Sequence, residues 1–74
     1  MARLEVTTEV TGNVWKIEVN AGDDLAAEDV IMILESMKME IPVEAPSAGK
    51  LVEILVQEED SVDEDQVVAI IETH

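Results

Sequence analysis

The sequence predicts an all-β domain, and three observations lead to this prediction. Apolar and polar residues alternate with a period of two along several segments, the two segments that could be helices lack helical periodicity, and the chain repeats itself once without a gap. Its 74 residues are too few for two cores, so we expect one domain over residues 1–74. The starting methionine and two complete repeat halves favour an intact small protein.

The alternating segments are predicted to be strands. Residues 4–10 alternate, as do residues 15–19 from Trp15 onward and residues 52–56 from Val52 onward. We therefore expect Trp15, the only aromatic residue, to be partly buried in an aliphatic core. Residues 37–43 alternate as well, with the methionines and Val43 on the apolar side. Pro42 in this segment indicates a sheet edge or a strand end, because proline cannot donate to a neighbouring strand.

The segments "DDLAAEDVIMILE" and "SVDEDQVVAIIE" permit two interpretations. Each could be a capped helix. A helix that buries Leu25, however, needs apolar residues three and four positions later, where Glu28 and Asp29 stand. The second segment fails in the same way. We therefore predict a polar turn followed by a short buried strand in each, at residues 30–34 and 67–71.

An internal repeat organises the chain. "GNVWKIEVNAGDDLAAEDVIMILES" and "GKLVEILVQEEDSVDEDQVVAIIET" align at an offset of 37, Gly49 minus Gly12. Two copies predict two similar halves related by a quasi-twofold axis, with Lys38 in the joining segment, at or beside a turn. Glu59 stands where the first half has Gly22. If that turn needs a positive φ, Glu59 costs on the order of 1 kcal/mol.

Composition and charge exclude several classes of partner. The formal charge is −14, from 18 acidic and 4 basic residues, which repels phosphate backbones and anionic membranes. No apolar run is long enough for a signal peptide or a membrane span. We therefore expect no nucleic-acid or membrane partner and a cytoplasmic location.

Catalysis and metal binding are not expected from this inventory of residues. The chain has no cysteine or tyrosine, and its one histidine is His74 at the C-terminus, where chains usually fray. The acidic run "EEDSVDED" lacks the ligand spacing, the turn glycine and the closing glutamate of an EF-hand loop. We expect this run to be a solvated turn.

Lys38, in "ESMKMEIPVEAP", has two interpretations. By alternation alone it is an outward-facing strand residue, with the neighbouring methionines inside. Alternatively, a lysine on an exposed turn can enter another enzyme's active site and accept a covalent cargo. A lysine amine is almost wholly protonated at neutral pH, so the partner enzyme must remove the proton and supply an activated acyl group. The pattern alone leaves both interpretations open.

The stretch "ESMKMEIPVEAPSAGKLVEILV" resembles the attachment region of the biotinyl carrier domains of biotin-dependent carboxylases. In these domains a lysine between methionines is followed by an Ala-Pro-x-x-Gly segment, here Ala45, Pro46 and Gly49, which we interpret as structural. The resemblance covers nearly the whole chain. It implies an all-β flattened barrel, or sandwich, of two four-stranded antiparallel sheets with quasi-twofold symmetry and the attachment lysine on a hairpin turn.

The resemblance also implies roles for individual residues. Lys38 would be the acceptor, its ε-amine forming an amide with the carboxyl group of biotin. Met37 and Met39 would be flanking recognition residues. The further residues that match the motif are Glu35, Ser36 and Glu40.

A carrier of this kind is not itself an enzyme. The implied partners are a biotin protein ligase, which attaches biotin, and a biotin carboxylase and carboxyltransferase, between which the carboxyl group is shuttled; the domain is expected to be monomeric. Lipoyl domains share the fold and are the alternative, with lipoate as cofactor. They more often have aspartate before the lysine and a small residue after it, whereas "SMKM" is the biotinyl pattern. An unmodified interaction module is the third hypothesis.

Overall fold

A computed structural model describes residues 2–73 of the chain. These residues form eight β-strands and no helix, so none of their segments is a helix that could cross a membrane. The strands are β1 (Arg3–Thr7), β2 (Gly12–Ile17), β3 (Asp24–Leu25), β4 (Val30–Ser36), β5 (Met39–Glu44), β6 (Gly49–Ile54), β7 (Ser61–Val62) and β8 (Val67–Thr73).

The strands form two four-stranded antiparallel sheets. Their orders are β1-β8-β6-β3 and β5-β4-β2-β7. An aliphatic core lies between the sheets, and its largest fully buried side chains include Ile31, Met32, Leu34, Leu51 and Ile71. The predicted all-β fold with two four-stranded antiparallel sheets is confirmed.

The predicted internal symmetry governs the topology. β2, β3 and β4 correspond to β6, β7 and β8 at the offset of 37, Gly49 minus Gly12. The same offset relates β1 to β5, so the structural repeat extends beyond the sequence repeat. It exchanges the two sheets, because each strand order maps onto the other. The turn between β4 and β5 therefore joins the two halves.

Neither ambiguous segment is a helix, and each contains a polar turn followed by a strand, as predicted. The short strands β3 and β7 at the start of the segments were not predicted. The first contains β3, a polar turn and β4, and the second contains β7, an equivalent turn and β8. In the first turn the Asp29 carboxylate accepts a hydrogen bond from the Ala26 backbone N–H at 2.8 Å. Such a bond competes with helix formation. β4 and β8 each run two residues past the predicted ends, to Ser36 and Thr73.

The prediction of a strand over residues 4–10 is wrong after Thr7, where β1 ends. The Thr8 hydroxyl donates to the Val10 carbonyl at 2.9 Å and accepts from the Val10 N–H at 3.1 Å, which bends the chain. The predicted place of Pro42 is confirmed, because it lies on β5, the edge strand of its sheet.

Trp15 contradicts the prediction of a partly buried core residue. The pairing of β2 with β4 shifts between Val14 and Lys16, which makes Trp15 the extra residue of a β-bulge. A bulge changes which residues of a strand face the core. Val14 is therefore 1% exposed and Trp15 is 51% exposed. The equivalent bulge in β6 buries Leu51 and leaves Val52 half-buried.

The predicted strain at Glu59 is confirmed. Gly22 has a φ of 98° and Glu59 a φ of 77°, so both equivalent turns use the left-handed region. Each turn also makes the same hydrogen bond, because the Gly22 N–H donates to the Leu51 carbonyl and the Glu59 N–H to the Val14 carbonyl, both at 2.7 Å. The second half thus keeps this turn without its glycine, at a steric cost.

Candidate functional site

The hairpin of β4 and β5 ends in a turn of only two residues. Ser36 and Met39 form the last strand pair, and Met37 and Lys38 make the turn with φ values of 50° and 66°. Two positive φ values are the feature of a type I′ turn, which usually contains asparagine and glycine. For other residues the left-handed region costs about 1–2 kcal/mol each. The tip therefore keeps two long side chains at positions where the backbone favours small ones.

All three residues of the Met-Lys-Met motif are exposed. Met37 is 93% exposed, Met39 is 63% exposed, and Lys38 lies between them on the turn. The interpretation from alternation alone, with methionines inside, is wrong. The odd positions of β5 do follow the apolar face, since Val43 is buried and Ile41 half-buried. The hairpin continues past the end of the core, however, so this face reaches solvent at its tip.

The Lys38 amine is not held by the rest of the described structure. Within residues 2–73 the ion pairs are Arg3 with Glu72 and Lys16 with Glu18, both at 3.6 Å. No side-chain hydrogen bond within that range involves Lys38. Because the amine is exposed and lies at a protruding tip, a second protein can reach it without disturbing the sheet.

The end of β4 next to the turn is fixed to the neighbouring strand β2. The Ser36 hydroxyl donates to the Thr11 carbonyl at 2.8 Å. Gly12 follows Thr11, and a Cβ atom on Gly12 would lie 2.5 Å from the Glu35 carbonyl oxygen. Only glycine therefore permits this close approach of β2 to β4. Ser36 thus anchors the end of β4 from which the turn projects.

Two carboxylates lie directly behind the tip. Glu35 on β4 and Glu40 on β5 are exposed and directly opposite each other, where like charges destabilise a strand pair. The equivalent pair in the other half is Glu72 with Arg3, which have opposite charges and form an ion pair at 3.6 Å. The hairpin therefore carries two like charges at a strand pair whose counterpart in the other half of the fold is an ion pair.

The Ala-Pro-x-x-Gly segment follows β5 and begins at the end of that strand farthest from the turn. Ala45 is 2% exposed, and its backbone bonds Glu28 and Asp29 at 2.8 Å each. A Cβ atom on Gly49 would lie 2.5 Å from the Glu72 carbonyl oxygen. These contacts agree with the structural interpretation of the segment.

The six residues predicted for the site therefore share one hairpin, with the lysine and both methionines at its tip and the other three directly behind the tip. Within residues 2–73, no three histidine, cysteine, aspartate or glutamate side chains are grouped to hold a metal ion. His74 lies outside the described residues. Sequence reasoning missed the exposure of Trp15. The signal was the apolar pair Val14 and Trp15, which interrupts the alternation where the bulge occurs.

The comparisons with known proteins agree with this geometry. A family model described as "Biotin-requiring enzyme" matches residues 5–71. The "Biotin/lipoyl attachment protein" of Bacillus subtilis is 42% identical over 64 residues, which cover 86% of this chain and 88% of that protein. The "Biotinylated protein TB7.3 homolog" of Mycobacterium leprae is 37% identical, with 90% of this chain and 94% of that protein covered.

Much longer proteins contain a region similar to nearly the whole chain. The "Urea amidolyase" of Saccharomyces cerevisiae is 38% identical over 92% of this chain, which spans 4% of that protein. The crystal structure of the Kluyveromyces lactis urea carboxylase matches with a TM-score of 0.91 and 35% identity, over 96% of this chain and 6% of that one. A single-chain, multi-domain long-chain acyl-CoA carboxylase shares the fold, with a TM-score of 0.91 at 24% identity and 7% of its length covered.

Proposed function

This chain belongs to the biotin/lipoyl attachment family, and from that premise we propose that it is a biotin carboxyl carrier with biotin attached to Lys38. The small relatives that it matches over nearly their full length are attachment proteins, so the chain is a carrier and not a catalyst. The observation that carries the proposal is the strained turn that presents Lys38 between two exposed methionines.

The residues of the hairpin fit the attachment of biotin. After the Lys38 ammonium group has lost one proton to the ligase, the neutral amine would attack the activated carboxyl group of biotin. An amide would form as the activating group departs and the nitrogen loses a second proton. Met37 and Met39 offer soft apolar surface that can pack against more than one partner. Once attached, biotin supplies the nitrogen that carries a carboxyl group.

The body of the domain acts as a rigid base for the mobile lysyl arm. The end of β4 next to the turn is tied to β2, so motion is concentrated in the side chain of Lys38 and its cargo. A carrier of this kind raises the effective concentration of the carboxyl group at each site that it visits. We propose a biotin protein ligase, a biotin carboxylase and a carboxyltransferase as its partners. The monomeric state and the cytoplasmic location stay predictions.

A lipoyl carrier is the second candidate, because the Bacillus subtilis relative is named for both cofactors. It would pass acyl or aminomethyl groups between subunits of a dehydrogenase or cleavage complex. The "SMKM" sequence favours biotin, as lipoyl carriers more often have aspartate before the lysine. The fold cannot distinguish the two.

The test is labelling of the purified chain by a biotin protein ligase with biotin and ATP, and separately by a lipoate ligase with lipoate. We expect biotin on the wild-type chain and none on Lys38→Arg, which keeps the charge but removes the acceptor amine. Biotin that persists on Lys38→Arg would move the site to another lysine. Labelling by the lipoate ligase alone would favour the second candidate, and labelling by neither would leave an unmodified interaction module.

A further inference from the structure

The internal symmetry shows which side chains the fold does not need, because each position in one half has a counterpart in the other half. Equivalent positions in the two halves have the same strand pairing and the same turn hydrogen bonds. Trp15 corresponds to Val52, and Glu59 to Gly22, at the offset of 37 found between Gly12 and Gly49. Val52 and Gly22 show that the same backbone conformations accept valine in place of tryptophan and glycine in place of glutamate. The exposed indole and the strained glutamate are therefore not required for folding.

Trp15 and Glu59 line the same surface cleft. This cleft is lined by Asn13, Val14, Trp15, Glu35 and Glu59. Glu35 belongs to β4, three residues before Lys38, so the cleft adjoins the part of the hairpin directly behind its tip. Within residues 2–73 no ion pair involves either carboxylate of the cleft. We call this surface the Trp15 cleft.

The chemistry of the Trp15 cleft fits a planar cation. An exposed indole face attracts a cation by its quadrupole, and carboxylates at its rim accept charge-assisted hydrogen bonds. A guanidinium group satisfies both requirements, because it can stack on the ring while its edge donates in the plane. We propose that the Trp15 cleft binds an arginine side chain of the biotin carboxylase that carboxylates this carrier. This inference rests on the function proposed above.

The carboxylase fits the cleft better than the ligase does. A ligase acts once on each carrier, whereas the carboxylase must capture and release it in every turnover. An exposed contact between opposite charges is weak, forms quickly and is screened by salt, which suits repeated release. The formal charge of −14 would also steer the carrier toward a basic surface. The cleft is continuous with the hairpin that must enter the active site.

The test measures ATP-dependent carboxylation of the biotinylated full chain by a purified biotin carboxylase from the same cells. The variants are Trp15→Val and Glu59→Gly, each of which introduces the residue that the other half of the fold already has. We expect the double variant to raise KM about tenfold with kcat unchanged, since a cation–π contact and an exposed ion pair each contribute a few-fold. The difference should shrink toward 1 M salt.

Glu28→Gly is the matched control. Glu28 also has a positive φ, 72°, and the same charge, but its turn is bonded to Ala45 at the open end of the hairpin, far from the turn that contains Lys38. We expect its KM to stay within about twofold of the wild type. An unchanged KM in the double variant, an equal effect of Glu28→Gly, or a loss confined to the ligase reaction would overturn the inference. A wild-type chain that takes up no biotin would instead contradict the proposed function.

Discussion

Replacing Met37 with asparagine should stabilise the protein and slow its modification. Met37 has a φ of 50° as the first residue of the two-residue turn, where asparagine is favoured. The side chain is 93% exposed, so its removal opens no cavity in the core. The gain is the relief of left-handed strain, about 1 kcal/mol. The loss is the apolar surface beside Lys38, the proposed acceptor.

The expected gain corresponds to a measurable rise in melting temperature. With an unfolding entropy of about 2.1 cal/mol/K per residue over 74 residues, 1 kcal/mol raises Tm by about 6 °C. Calorimetry measures this shift directly. We expect kcat/KM for biotinylation to fall about tenfold, which corresponds to about 1.4 kcal/mol of lost apolar contact with the ligase.

Met39→Asn is the matched control for this prediction. It makes the same chemical change at a position that is 63% exposed and lies on β5 without a positive φ. Asparagine is depleted in strands, so this variant should lower Tm while it slows labelling similarly. The reasoning is refuted if Met37→Asn leaves Tm unchanged or lowers it. It is equally refuted if labelling of both variants proceeds at the wild-type rate.

Three further predictions follow from the same hairpin. Lys38→Ala should abolish biotinylation and change the free energy of unfolding by less than about 0.5 kcal/mol, while Lys16→Ala and Lys50→Ala stay labelled; a labelled Lys38→Ala chain would refute the assignment. Gly12→Ala should destabilise the fold by about 1–3 kcal/mol in urea, because its Cβ would lie 2.5 Å from a carbonyl oxygen of β4. Glu40→Arg should stabilise the fold by about 0.2–1 kcal/mol, since it replaces a like-charged strand pair with an opposite one; a lower urea midpoint would contradict this.

Much of the fold could be predicted because two signals, the alternation and the internal repeat, are visible in the sequence itself. Alternation marks strands, and the repeat marks two halves, so the all-β class and the central place of Lys38 could be predicted from the residues. The arrangement in two four-stranded sheets was implied by the family resemblance and is confirmed. The positive φ at Glu59 was also predictable, because the first half supplies its own reference in Gly22. An internal repeat thus provides comparisons that a single sequence otherwise lacks.

The exposure of individual residues was less accessible because it depends on tertiary structure. Trp15 faces solvent because a bulge shifts the strand pairing, and the prediction assumed unbroken alternation from Trp15 onward. Met37 and Met39 continue an apolar face but lie past the end of the core, a boundary that no local pattern records. The turn formed by Met37 and Lys38 lacks the asparagine and glycine that usually mark its type. Lys38, the proposed attachment site, was identified from the family motif, and the structure places this residue at the tip.

The most direct test of a biotin carrier is the intact mass of the chain purified from cells with ample biotin and biotin protein ligase, followed by fragmentation to locate any added group. We predict an increase equal to biotin less one water, located on Lys38. An unmodified mass under these conditions, or an increase located on Lys16 or Lys50, would contradict the central claim.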